Sequence, residues 1–118
     1  MITEADIERF TEGDCHVLAR CLHRMTGWPI HCFSDYRGYP DIHAFVVRPD
    51  GMALDVEGLH TSQQIIKKYK HWGARTHRAY ATKIMQQHGW IGVFYGNHSY
   101  KRARQIAEYL LELYPYTA

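Results

Sequence analysis

From Asp14 onward, Val17, Leu18, Cys21, Leu22 and Met25 recur at intervals of three and four residues, the spacing of one buried stripe on an α-helix. Gly27 and Pro29 supply its stop. Upstream, Thr3 followed three residues later by Asp6 predicts a short capped helix running to Phe10. Downstream the period changes to two. Ile30 to Ser34, Ile42 to Arg48 and Met52 to Val56 read as strands, and the last two are separated by Pro49, Asp50 and Gly51, the chemistry of a hairpin turn. Thr61 with Gln64 predicts a second capped helix reaching about Trp72. Strands are expected over 79–84 and 90–95, and a last helix capped by Ser99 with Ile106, Tyr109, Leu110 and Leu113 on its inner face. Helices, then an antiparallel sheet, then a terminal helix define an α+β class.

No repeat, low-complexity tract or Pro/Gly/Ser-rich linker divides the 118 residues, so one domain over 1–118 is expected. Nothing approaches the roughly 20 consecutive apolar residues of a membrane span. The acidic, amphipathic start MITEADIERF is unlike a signal peptide, which predicts a cytoplasmic protein and leaves export by a non-classical route open. Three cysteines without paired spacing argue against a disulfide framework. The net charge of +2 with nine neutral histidines is too mild to indicate a nucleic-acid partner. Lys67, Lys68, Lys70, Arg75 and Arg78, interleaved with Trp72, form a basic and aromatic run; it reads first as a solvated face and, if it binds, suits an acidic protein as well as it suits RNA or DNA, the latter giving a third reading as a small nucleic-acid-binding protein.

The candidate chemistry lies in Cys15, His43 and Asp55. A thiol opening a helix is biased toward thiolate by the helix dipole, and an imidazole oriented by a carboxylate is the usual base beside it. Side chains alternate along strands, so His43, Phe45 and Val47 share one side of theirs, and Ala53 and Asp55 one side of the next. A two-residue turn would set Asp55 opposite Val46, on the face away from His43. A three-residue Pro49-Asp50-Gly51 loop pairs Asp55 with Phe45 and places it diagonal to His43. A type I turn closed by a left-handed Gly prefers the longer loop, so turn chemistry and catalytic geometry point to the same register. Leu18, Leu22, Val47 and Leu54 are expected to hold helix and hairpin together.

Gly13-Asp14-Cys15 opening a helix, then His43-Ala44-Phe45-Val46, then Leu54-Asp55-Val56-Glu57-Gly58 resembles the papain-like superfamily of cysteine peptidases and amidases, in particular its small toxin and deamidase branches. The resemblance spans roughly residues 11 to 95 by order and spacing. It implies a papain-like core, with Cys15 as nucleophile, His43 as general base and acid, and Asp55 as orienter. It implies a cysteine-dependent hydrolase or amidohydrolase acting on a protein or peptide through a thioester, of the kind effectors use, and no cofactor. The family commonly carries a Gln a few residues before the Cys as an oxyanion donor; here Thr11, Glu12, Gly13 and Asp14 occupy those positions. Backbone N–H groups near Cys15 are the expected replacement, with Gly13 and Asp14 where substrate approaches. The rival reading is a papain-like module that binds a partner without turnover.

Cys21 and Cys32 read as core thiols. No Cys or His pair among His16, His23, His31, Cys15 and Cys32 has zinc-motif spacing, and no metal is expected.

Overall fold

A computed structural model describes residues 1–12, 14–34, 43–70, 75–78 and 96–117. Among them, four helices, α1 (Glu4–Glu12), α2 (Cys15–Thr26), α3 (Ser62–Lys70) and α4 (Gly96–Leu113), accompany five strands, β1 (Ile30–Ser34), β2 (His43–Val47), β3 (Ala53–Asp55), β4 (Gly58–His60) and β5 (Arg75–Arg78). The strands form one sheet in the order β4-β3-β2-β1-β5, antiparallel throughout. The chain is α+β, as its pattern predicts.

The helix starts follow local chemistry. Thr3 and Asp6 make reciprocal bonds, the Thr3 N–H donating to Asp6 at 2.9 Å and the Asp6 N–H to Thr3 Oγ1 at 3.2 Å, and α1 runs two residues beyond Phe10. Thr61 and Gln64 repeat the device at α3, with 2.8 and 3.1 Å bonds. Gly27 ends α2 in the left-handed region at φ 79°, its N–H donating to the His23 carbonyl at 2.7 Å.

The β2–β3 hairpin takes the longer loop. Val46 pairs with Leu54 and Val47 with Ala53, while the Arg48 N–H donates to the Met52 carbonyl at 2.8 Å and that of Gly51 to the Arg48 carbonyl at 2.9 Å. Gly51 sits at φ 86°, the left-handed residue that closes this loop. β4, which the pattern does not announce, follows at once; Ala53 pairs with His60 and Asp55 with Gly58. Gly58 has φ 110°, and a Cβ there would lie 2.7 Å from the Tyr114 hydroxyl, so the tight β3–β4 turn needs glycine on both counts.

Alternation sorts the sheet into two cores. Ala44, Val46, Leu54 and Val56 meet Leu18, Leu22, Ile106 and Leu110 of α2 and α4 on one face. Phe33, Phe45, Ala53 and Val47 meet Ile65 and Tyr69 of α3 on the other. Val47 therefore does not join helix α2 to the hairpin, because parity turns it with Phe45 toward α3. Two expectations for the last helix are also corrected. It begins at Gly96, ahead of Ser99, so Ser99 lies inside it. Its inner face is Ala103, Ile106, Ala107 and Leu110, while Leu113 is 50% exposed at its end and Tyr109 is half-buried. The strands expected over 79–84 and 90–95 lie outside the described residues.

Candidate active site

Cys15 is the first residue of α2, His43 the first of β2 and Asp55 the last of β3, so three element ends supply the three groups. With the longer hairpin register, His43 and Asp55 share the α3 face on adjacent strands, one pair apart on the diagonal. The His43 Nε2–H donates to Asp55 Oδ2 at 2.8 Å, with the two residues 0 and 3% exposed. This bond fixes the tautomer and leaves Nδ1, buried and without an aligned protein partner, as the nitrogen available for the thiol. A loose fit between nucleophile and base is common without substrate.

Burial raises the pKa of Cys15, but hydrogen bonding from His16 and His43, the charge of His43 and the Ala44 N–H outweigh it and bring the thiol down to about 6. Burial lowers His43, while Asp55 and Cys15 more than compensate and lift it to about 9. Burial likewise raises Asp55, yet bonds from His43 and His60 hold it at about 2. Near neutrality the site is a thiolate beside an imidazolium, backed by a carboxylate. The other thiols move the opposite way: burial raises Cys21, and pushes Cys32 up to about 12.

Three neighbours escape a reading by motif. His60 Nε2–H donates to Asp55 Oδ1 at 3.0 Å, and the Glu57 N–H donates to the same oxygen at 2.9 Å. His16, buried beside Cys15 on α2, is the second imidazole acting on the sulfur. Tyr69 of α3 stacks on the His43 ring with centroids 4.4 Å apart and planes 13° from parallel, and its hydroxyl is buried without a partner. His60 sits on a three-residue strand too short to show a period, and Tyr69 carries no sequence signal beyond packing.

Asp14, expected where substrate approaches, is tied to α1. Its N–H donates to the Arg9 carbonyl at 2.9 Å and its carboxylate accepts from Arg9 Nε at 2.9 Å, so both groups are turned to α1. Gly13 lies outside the described residues. The first N–H groups of a helix have no intrahelical acceptor, which makes that of Cys15 the nearest backbone donor by position. The basic run is only partly described. Lys67 is exposed, but Lys68 is ion-paired with Glu57 and lies 5.7 Å from the Tyr69 ring centre, so it is not the free cation expected. Trp72 and the side chains of Lys70, Arg75 and Arg78 lie outside the description.

No family model, curated protein or solved structure matches the chain. The chemistry of the site is therefore read from its own geometry. Among the described residues no group of three His, Cys, Asp or Glu is placed to hold a metal ion, and no helix is long and apolar enough to cross a membrane.

Proposed function

We propose that this chain is a cysteine-dependent hydrolase or amidohydrolase of papain-like type, acting on an amide of a protein or peptide. The observation that carries the reading is the buried 2.8 Å bond from His43 Nε2 to Asp55, which leaves Nδ1 toward a helix-opening Cys15 whose pKa is pulled down to about 6. In this mechanism the Cys15 thiolate attacks the amide carbonyl carbon and its electron pair moves onto oxygen. The tetrahedral oxyanion then collapses, the C–N bond breaks, and the imidazolium Nδ1–H protonates the departing amine or ammonia. His43, now neutral, takes a proton from water as that water attacks the thioester. The C–S bond breaks, the carboxylic acid leaves and gives its proton to solvent, and thiolate and imidazolium are restored. Asp55 holds the imidazole and stabilises its charge throughout.

A second reading, a binding module that keeps the scaffold without turnover, draws on one observation: Cys15 is only 7% exposed and His43 fully enclosed. Alkylation by iodoacetamide, followed by peptide mass spectrometry across pH, separates the two. The enzyme should label at Cys15 with a midpoint near pH 6, ahead of Cys21 and Cys32, and His43→Ala should move that midpoint toward the ordinary thiol value. Equal, slow labelling of all three thiols at neutral pH would reject the enzyme and leave the binding module.

A further inference from the structure

Among the described residues, Asp55 accepts three hydrogen bonds, and they divide unevenly between its oxygens. Oδ2 takes the His43 Nε2–H at 2.8 Å, whereas Oδ1 takes both the Glu57 N–H at 2.9 Å and the His60 Nε2–H at 3.0 Å. The parity of the sheet produces this. His43 on β2, Asp55 on β3 and His60 on β4 all point to the α3 face, and each is one diagonal step from the next in the observed registers. We infer that His60 is a positioning residue of this site, clamping one carboxylate oxygen of Asp55 so that the other stays aimed at His43.

The inference rests on the reading of Cys15 and His43 as the reacting pair, and deepens it. A carboxylate on a terminal torsion turns easily, because that torsion is broad and two-fold. The Glu57 N–H already closes the β3–β4 turn on Oδ1, so the turn does not require a second donor there. What the imidazole of His60 adds is a side-chain anchor from the neighbouring strand, and it resists the rotation that would swap the two oxygens. His60 does not touch the reacting atoms; it acts through Asp55. Its side chain is 19% exposed, against 3% for Asp55, so the clamp forms the outer edge of an otherwise enclosed network. The titratable groups acting on that carboxylate, among the described residues, are His43 from β2, His60 from β4 and Tyr69 from α3, while Cys15 of α2 acts on His43, His16 on Cys15, and Lys68 pairs with Glu57 of the turn.

The test uses the full chain and iodoacetamide. The pH profile of Cys15 alkylation is measured for wild type, His60→Ala, His60→Leu and His60→Gln, with His43→Ala as reference and thermal unfolding recorded for each. Removing the donor, in whichever of the Ala and Leu variants folds, should raise the alkylation midpoint by about one pH unit. His60→Gln, whose amide nitrogen can donate to the same oxygen, should bring it back. A midpoint unchanged or lowered in the donor-free variants, or a Gln variant that behaves like them, would overturn the role of His60. A profile that does not respond to His43→Ala would instead overturn the reading of the reacting pair, so the two failures are distinguishable.

Discussion

Among the described residues, His43 Nδ1 and the Tyr69 hydroxyl are buried site atoms without an aligned hydrogen-bond partner, and the rings that carry them are stacked on each other. Such atoms are rare in native folds and concentrate where function requires them. The first has an evident use as the nitrogen facing the thiol. The second has none within the network, and burial together with the charges of Asp55 and Cys15 raises the pKa of Tyr69, keeping it a neutral phenol. An unsatisfied buried hydroxyl costs about 1–3 kcal/mol. Tyr69→Phe keeps the ring stack and removes that cost, so urea unfolding should show it as stable as wild type or more so, by up to about 3 kcal/mol. Tyr69→Ala removes the ring that covers His43 and should cost about 3–5 kcal/mol. A Phe variant clearly less stable than wild type would mean that the hydroxyl is bonded in solution.

At the level of elements, the site depends on the register of one hairpin. A one-residue slip turns a whole strand to its other face. Deleting Asp50 leaves Pro49-Gly51, which cannot form the primed two-residue turn because Pro is fixed at negative φ; drawing Met52 into a three-residue connection then pairs Arg48 with Ala53, places Asp55 opposite Val46 and carries it to the α2 face, out of reach of His43. The expected result is a folded chain in which the Cys15 alkylation midpoint moves up toward the ordinary thiol value; retention of the midpoint near pH 6 would show that the register does not control the site. This dependence explains what the sequence could reveal. Pro49-Asp50-Gly51 encodes the loop, the loop sets the register, and the register brings His43 and Asp55 together, so that much was readable from three turn residues and two alternating runs. β4 was not, because three residues are too few to show a period and Gly58 reads as turn alone. His60 and its bond to Asp55 were lost with it. The start of α4 was missed for a related reason: Gly96, Asn97 and His98 favour loops locally, and helix is formed there against propensity. Val47 was assigned to the wrong core because both faces of this sheet are apolar, one under α2 and α4 and the other under α3, and hydrophobicity alone does not say which.

Across the whole molecule, residues distant in sequence are tied by charge as well as by packing. Arg102 of α4 grips Asp6 of α1 through bonds of 3.0 and 2.5 Å and reaches the Met1 carbonyl at 2.8 Å, which fastens the first helix to the last around α2. The pair at the site adds a different global property, visible in proton counts. His43 is raised from 6.5 to about 9, so its contribution to stability is complete below 6.5 and is lost as pH rises through 9. Cys15 is lowered from 9.0 to about 6, so its contribution is complete above 9 and is lost as pH falls through 6. Between 6.5 and 9 the unfolded chain carries one proton on the thiol and none on the imidazole, while the folded chain carries one on the imidazole and none on the thiol. The counts are equal, so the pair gives folding no pH slope in that window. Cys15→Ala breaks the balance: the alanine variant loses the opposing thiol and the part of the upward shift that Cys15 gives the imidazole, and where the Asp55 bond alone outweighs burial its stability should fall, relative to wild type, as pH climbs above 6.5. Other titrating groups are common to both chains and cancel in the difference. Urea unfolding of wild type and Cys15→Ala at several pH values in this range measures it, and a difference that stays constant across the range would mean that Asp55 without the thiolate does not outweigh burial and hold the proton on the imidazole.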